Sequence, residues 1–344
     1  MKKKLLFAYF LFVCLGSCVQ EDDGYFEDEE ISEEAFQIAK DFSLLMSDAN
    51  ESEKFLFVTD PHNVGQNDYF DEGVKNDCKS AFSMARQVYQ AAELDFCLCG
   101  GDILLSYDTQ DVAKKRLLWF DDMMHKGFSN YYKMLGNHDL NYLGIVSESD
   151  SSRGDLPREF FEKEYFAETG SAYYSFKGAY TRFYIFDSGL DTVLDMDSYR
   201  WEQVYWFAQS LKENDDAHNA VGIHIFFRDR TSTSESYDDC IMPMSQKIID
   251  VCDAYNAKTS LLVGDRLYNY SDAQGKVQMV FAGHNHIDNV YYVGTSRDIA
   301  VIRTTNFNRD AVYTFDMCYV NYDSCMLKTY RVGYGESRKV KLYQ

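Results

Sequence analysis

The chain has 344 residues, of which 46% are hydrophobic and only three are proline. This composition favours a folded globular body over a disordered chain, and the length allows one large domain or two small ones. The net charge of −21 argues against nucleic acid as the main partner, because duplex binding depends on basic patches.

The first residues indicate a targeting signal rather than part of the fold. A basic start, Met1–Lys4, precedes the apolar segment Leu5–Leu15, which is too short for a comfortable membrane span. The following Leu15-Gly16-Ser17-Cys18 resembles a bacterial lipoprotein cleavage site. The resemblance implies that residues 1–17 are a signal peptide and that Cys18 carries lipid, which anchors an exported protein in the cell envelope. The alternative is an ordinary secretory peptide with an incidental cysteine.

An acidic segment follows the signal. Between Val19 and Asn50 there are eleven Asp or Glu residues against one Lys, which is typical of a solvated tether. The acidic run Gln20–Asp23 resembles signals that send some lipoproteins to the outer surface, although a periplasmic location stays open. Within 31–46 the apolar residues follow a helical spacing, so we expect a short helix that docks on the domain. The sequence thus divides into a tether with a short helix over 18–53 and a single domain over 54–344.

From Lys54 onward, strand and helix patterns alternate, which predicts an α/β fold with short connections. The predicted elements of the first half are a strand ending at Thr59, a helix over Ser80–Glu93, a strand over 95–99, a helix over Gln110–Lys126 and a strand over 131–135. A long polar loop is predicted over 140–170. The later elements are strands near Tyr173–Phe176 and Arg182–Phe186, helices near Tyr199–Asn214 and Gln246–Tyr255, and a strand-rich tail over 290–344 with a hairpin near Asn321.

Seven cysteines remain after Cys14 and Cys18, and an odd number in an exported protein leaves at least one free thiol. Cys97 and Cys99 share a predicted buried strand and point to one face, so we interpret them as core residues. Cys318 and Cys325 flank a turn-like segment and are possible cross-strand neighbours.

Metal-ligating residue types follow several of these apolar, strand-like runs. The segments are Asp60-Pro61-His62, Gly100-Gly101-Asp102, Gly136-Asn137-His138-Asp139, the single His224, and Gly283-His284-Asn285-His286. They hold five of the seven histidines in the chain. Open α/β sheets place their sites at the carboxyl ends of strands, so these side chains are expected to converge.

The order of these segments resembles the calcineurin-like metallophosphoesterase family over roughly residues 54–305. The resemblance implies two mixed β-sheets packed as a sandwich and flanked by helices, a four-layer αββα fold. It also implies two divalent metal ions. Asp60, His62 and His286 would bind one ion, Asp102 would bridge both, and Asn137, His224 and His284 would complete the second. His138 would act as general acid, with Asp139 orienting its imidazole.

The ligand types indicate which ions to expect. Carboxylate, amide and imidazole together suit Mn, Fe or Zn better than Ca or Mg. Two such ions lower the pKa of a bridging water and compensate phosphoryl charge. The implied function is an exported phosphohydrolase that cleaves small phosphomonoesters or phosphodiesters by attack of a metal-bridging hydroxide. A surface binding protein with little turnover is the alternative, and the acidic balance disfavours a nuclease.

Two positions depart from related patterns. The family usually has a proline two residues after the histidine at 224, where this chain has Phe226. In purple acid phosphatases a tyrosinate ligand stands three residues after the bridging aspartate, where this chain has Leu105, so an iron–tyrosinate site is not expected.

Substrate contacts are predicted only from position. If the chain stays extended after His224, Arg228 and Arg230 share its face and could clamp a phosphate. Arg153, in the first polar insertion, is a further candidate for a phosphate contact. The alternative for all three is a solvated loop arginine.

Overall fold

The structure is a computed structural model that describes residues 30–62, 72–105, 109–141, 155–188, 197–214, 216–226, 243–309 and 312–343. The predicted signal peptide, Cys18 and the three arginines at 153, 228 and 230 lie outside the described residues.

The described elements alternate between strand and helix in the first half and are mostly strands at the end. In chain order the helices are α1 (Glu33–Ser43), α2 (Glu72–Ala91), α3 (Gln110–Gly127), α4 (Arg158–Phe160, continued by a π-helical turn over Phe161–Tyr165), α5 (Asp197–Asn214) and α6 (Pro243–Asn256). The strands of the first half are β1 (Ser52–Val58), β2 (Phe96–Cys99), β3 (Tyr131–Lys133), β4 (Tyr174–Lys177), β5 (Thr181–Phe186) and β6 (His218–Ile223). Those of the second half are β7 (Ser260–Val263), β8 (Arg266–Asn269), β9 (Lys276–Ala282), β10 (Asn289–Val293), β11 (Ile299–Arg303), β12 (Asn308–Arg309), β13 (Val312–Tyr313), β14 (Phe315–Asn321), β15 (Met326–Val332) and β16 (Arg338–Lys341).

Two mixed six-stranded sheets carry the fold. The first has the order β16-β15-β14-β1-β2-β3 and the second β10-β11-β9-β6-β5-β4. The strands β1, β2 and β3 run parallel to one another, and so do β5, β6, β9 and β11. The parallel strands of each sheet therefore end at the same edge, which is where the predicted site residues follow.

The sheets face each other across an aromatic core. Phe55 of the first sheet packs edge-on against Phe183 and Phe281 of the second, with ring centroids 5.6 and 5.4 Å apart. Along β1, Phe55 and Phe57 enter this central core while Leu56 and Val58 face the helices, because side chains alternate across a strand. Helices α1, α2 and α3 cover the first sheet, and α5 and α6 cover the second. The predicted four-layer α/β sandwich is confirmed.

The helix near the start is part of this body. α1 buries Ala35, Ala39 and Phe42 in the core beneath the first sheet, and the Ser32 side chain caps it by accepting the backbone N–H of Ala35 at 3.2 Å. Further along, Lys328 Nζ donates to the backbone carbonyl of Leu45 at 2.6 Å. Among the described residues, no helix combines the length and the apolar composition needed to cross a membrane.

Several local predictions differ from the structure. α2 begins at Glu72, ahead of the predicted Ser80. The earlier start was not predicted because the first turns are mostly polar and show no apolar stripe. The predicted polar loop over 140–170 contains α4 and its π-helical turn, whose Phe160, Phe161 and Tyr165 are buried. A hairpin of β7 and β8 was not predicted.

One interpretation of the cysteines agrees with the structure and the other does not. Cys97 and Cys99 are buried free thiols on the helix-covered face of β2, as expected. Cys318 and Cys325 are also free. Cys318 pairs with Thr329 in the β14–β15 register, while Cys325 lies in the turn, so the two are not cross-strand neighbours.

Candidate metal centre

Five loops that follow parallel strands bring the predicted site residues together. Asp60 and His62 follow β1, Asp102 follows β2, Asn137 and His138 follow β3, His224 follows β6, and His284 and His286 follow β9. Main-chain hydrogen bonds tie the loops to one another. Asp60 N donates to Gly101 O and His62 N donates to Asp102 O, both at 3.0 Å, and Gly283 N donates to His224 O at 3.1 Å.

One group of donor atoms consists of Asp60, His62 and His286. Their metal-ligating atoms all lie within 4.8 Å of one another. The two Nε2 atoms of His62 and His286 are 2.9 Å apart, and they lie 3.6 and 3.3 Å from Asp60 Oδ1. The His286 side chain is 39% exposed, so this group opens to solvent.

A second group consists of Asp102, His224 and His284, again within 4.8 Å. His224 and Asp102 are buried, and His224 Nε2 is 2.9 Å from Asp102 Oδ2. Asp102 Oδ2 is also 3.7 Å from His62 Nε2, so this carboxylate lies between the two groups. This carboxylate therefore faces both groups of donor atoms, and its bridging of two ions stays a prediction.

Four polar atoms of the predicted ligands are buried and have no hydrogen-bond partner among the described residues. They are Asp102 Oδ2, Asn137 Oδ1, His224 Nε2 and His284 Nδ1. A buried polar atom without a partner is costly, and native structures rarely keep one without a reason. An amide oxygen, a carboxylate oxygen and two imidazole nitrogens form a donor set that fits a divalent ion.

The site loops are held in an unusual backbone conformation. Five predicted ligands have positive φ angles, namely Asp60 at 53°, His62 at 47°, Asp102 at 55°, His284 at 74° and His286 at 51°. Non-glycine residues seldom adopt this region, although Asp and His do so more readily than most, and each instance costs on the order of 1–3 kcal/mol. Such conformations concentrate at functional sites, because the surrounding structure must hold them.

Glycines allow two of these loops to approach closely. A Cβ on Gly136 would lie 2.2 Å from both the backbone N and the Oδ1 of Asp102. A Cβ on Gly101, whose φ is +89°, would lie 2.6 Å from the backbone N of Gly136. The Gly-Gly-Asp and Gly-Asn-His-Asp segments therefore need glycine because their main chains are in contact.

Groups behind the predicted ligands fix their orientation. His224 Nδ1 donates to Gly100 O at 2.6 Å and His62 Nδ1 donates to Leu104 O at 3.2 Å, which leaves each Nε2 facing the site. Thr59 Oγ1 donates to Asp60 Oδ2 at 2.6 Å. These groups were not predicted from the sequence. The position of Thr59 beside Asp60 could have indicated its contact, whereas the backbone carbonyls of Gly100 and Leu104 have no signature in the sequence.

Asp139 joins two of the site loops. Its fully buried carboxylate accepts four backbone N–H groups, from Asp102, Ile103, Leu104 and Gly136, at 2.6–3.1 Å. The carboxylate therefore ties the loop after β2 to the loop after β3, because buried N–H groups need an acceptor. That Asp139 also orients the His138 imidazole stays a prediction.

His138 lies beside both groups. Its backbone N–H donates to Asp102 Oδ1 at 2.8 Å, and its ring is 4.8 Å from the His62 ring, edge to face. One of its ring nitrogens lies within 4.8 Å of donor atoms of His62 and Asp102. The side chain is half-buried, so it can reach both the site and solvent.

The departures from the family pattern leave the site intact. Phe226 is buried in the core beside α5 and α6, and His224 stays at the end of β6. The backbone N–H of Ile225 donates to Ser188 Oγ at 3.0 Å, which fixes the turn without a proline.

The charges put most of the predicted ligands, but not His224, in the form that binds a metal. Burial tends to raise the pKa of Asp60, but His224, His286 and His62 hold it well below its usual range. Burial opposes the lowering at Asp102 as well, yet its pKa falls to about 2, chiefly through His224. Burial, together with the charge of His224, lowers the pKa of His284 to about 4. At neutral pH both carboxylates are therefore ionised and His284 is neutral, as metal ligation requires. Burial opposes a charge on His224, but Asp102 and Asp60 raise its pKa to about 10, so a metal must displace its proton.

The comparisons with known proteins agree with this geometry. The family model described as calcineurin-like phosphoesterase matches residues 53–288, which is more than half of the chain. No curated protein matches the chain. Among solved structures, a dimetal phosphatase from Danio rerio is similar with a TM-score of 0.58 at 13% identity, over 86% of this chain and 100% of that one. A protein of Thermus thermophilus aligns with a TM-score of 0.42 at 7% identity, over 81% of this chain and 99% of that one.

The chain belongs to the calcineurin-like phosphoesterase family. It is a metal-dependent phosphoester hydrolase, and its Asp and His groups fit two divalent metal ions.

Proposed function

We propose that this protein hydrolyses small phosphomonoesters or phosphodiesters at a centre that holds two divalent ions, with Mn, Fe or Zn as the expected metals. The observation that carries the proposal is the convergence of the ligating atoms of Asp102, His224 and His284 within 4.8 Å of one another. Asn137 Oδ1, like one atom of each of these three residues, is buried without a hydrogen-bond partner among the described residues. Asp60, His62 and His286 would hold the first ion, and Asn137, His224 and His284 the second, with Asp102 shared. Such a pair supplies a nucleophile at neutral pH and compensates charge on the phosphoryl oxygens.

The charge balance of the ligand set supports an anionic substrate. Only Asp60 and Asp102 bring negative charge to the two groups, since Asn137 and the histidines are neutral as ligands. Two divalent ions therefore exceed the ligand charge by about two units. The centre would attract a phosphate although the whole chain carries −21.

His138 is proposed as the group that protonates the leaving oxygen. Without bound ions, burial lowers the pKa of His138, and the Asp102 charge opposes this shift. A bound phosphate would bring negative charge to the same place and favour the protonated form. The imidazole then donates its proton to the departing oxygen.

Export with a lipid anchor at Cys18 is the proposed location, on the support of the N-terminal sequence alone. Arg153, Arg228 and Arg230 remain the proposed phosphate contacts. Their positions in the polar segments after the site loops are the only support for this role.

Two histidines of one strand provide a matched test. His224 ends β6 at the site, and His218 begins it at the opposite end of the sheet, half-buried against Gln278. Apoprotein of the wild type, His224→Gln and His218→Gln is loaded with Mn, Fe(II) or Zn and assayed on aryl phosphate monoesters and diesters. We expect turnover in the wild type and in His218→Gln. In His224→Gln we expect turnover to be lost and only one ion to remain bound. Metal binding without turnover of either ester class would favour the binding-protein alternative.

A further inference from the structure

A buried cluster of charges lies behind the loop that carries His284 and His286. Arg331 of β15 is cross-strand partner of Asp316 of β14, and the two side chains form a paired contact, with Nε to Oδ1 at 2.8 Å and Nη2 to Oδ2 at 2.7 Å. The Arg331 side chain is 1% exposed and that of Asp316 is 0% exposed. Paired planar contacts of this kind are geometrically specific.

The same guanidinium reaches the other sheet. Arg331 Nη2 lies 2.7 Å from Oδ1 of Asp288 and 2.5 Å from Oγ1 of Thr304. Asp288 stands two residues after His286, in the connection from β9 to β10, and Thr304 directly follows β11. A single side chain of the first sheet therefore holds two loops of the second sheet at the edge where the site lies.

Asp288 is an acid between two cations. Its carboxylate also contacts Nη2 of Arg338 on β16, so both positive partners come from the first sheet. Two positive Arg side chains and two negative Asp side chains therefore balance each other at this edge. Loss of one member would leave a largely buried charge without compensation.

We propose that Arg331 and Asp288 are positioning residues for the metal centre, which fix the loop that presents His286 to the first ion. This inference rests on the proposed function. His286 has φ of 51° and a side chain that is 39% exposed, so the site loop alone holds it less firmly than the buried His224. The Asp288 contact supplies an anchor two residues away.

The chain contains a closely matched control. Asp216 also lies between two cations, Arg182 and Lys177, and its side chain is 16% exposed, against 15% for Asp288. It precedes β6, at the end of the sheet away from the site. Asp216→Asn and Asp288→Asn therefore remove the same charge from similar surroundings, and only one of them lies near His286.

The test is a calorimetric Mn²⁺ titration of apoprotein, with thermal unfolding measured in parallel. We expect both variants to unfold at lower temperature. Only Asp288→Asn should weaken the binding step that His286→Ala also removes, by about 10–100-fold, the usual effect of a group behind a ligand. If Asp288→Asn does not fold, Asp288→Glu carries the same test, since it keeps the charge but displaces the carboxylate.

Equal Mn²⁺ affinity in Asp288→Asn and Asp216→Asn would overturn the positioning role and leave the metal centre intact. If Mn²⁺ does not bind to the wild type, the titration is repeated with Fe²⁺ and Zn²⁺, and absence of binding of all three ions would instead contradict the proposed function. The two failures are therefore distinct.

Discussion

His224 Nε2 lies 2.9 Å from Asp102 Oδ2, and both groups are buried. Ligand atoms about 2.0–2.2 Å from one ion lie about 3 Å apart. Without a bound ion the two groups form an ion pair, and their spacing is also that of two ligands of one shared ion.

Asp102→Asn should abolish metal binding at both positions. The Asp102 carboxylate lies between the two groups, and an amide supplies neither its charge nor its second acceptor oxygen. Metal analysis of purified protein should show fewer than one ion per chain, and turnover should fall together with metal content. Two retained ions in this variant would mean that Asp102 does not bridge.

His138→Ala should separate metal binding from turnover. The His138 ring lies beside the donor atoms, while the neighbouring Asn137 presents the unpartnered oxygen. We expect unchanged metal stoichiometry and a fall in kcat of about 10²–10⁴, the range for one acid or base. Loss of an ion would make His138 a ligand, and full activity would remove the acid role.

Asp139→Asn should destabilise the protein before it affects chemistry. The carboxylate accepts four backbone N–H groups, and an amide would turn a donor toward some of them. We expect the free energy of unfolding to fall by about 1–3 kcal/mol. Denaturant unfolding of the apoprotein checks this. An unchanged free energy of unfolding with a lowered kcat would contradict this stabilising role and support the predicted role of orienting His138.

Cys18→Ser should release the protein from membranes. The sequence Leu15-Gly16-Ser17-Cys18 predicts lipid on this cysteine. Fractionation of cells that express the variant should recover it in soluble form, whereas Cys14→Ser should remain membrane-bound. Equal membrane association of the two variants would argue for an ordinary secretory peptide.

Much of the site could be predicted because each proposed ligand stands directly after an apolar strand. The apolar run along β1 and the Gly-Asp and Gly-His pairs indicate both the sheet edge and the donor types. The alternation of strands and helices in the first half predicts an α/β fold, and the resemblance to the family implies its two helix-covered sheets.

The remaining features depend on partners that the sequence does not reveal. Asp139 binds backbone N–H groups, which have no side-chain signature. Arg331 and Asp288 are 43 residues apart and meet only because two sheets pack together. α4 was not predicted from the sequence because its three buried aromatic residues stand within a mostly polar segment.

Anomalous diffraction from crystals of the protein grown with Mn²⁺ tests the central claim most directly. We expect two peaks about 3.5–4 Å apart. One should lie about 2.0–2.3 Å from donor atoms of Asp60, His62 and His286, and the other at the same distance from Asn137, His224 and His284, with Asp102 touching both. A single peak, or ions bound away from these side chains, would contradict the two-metal centre.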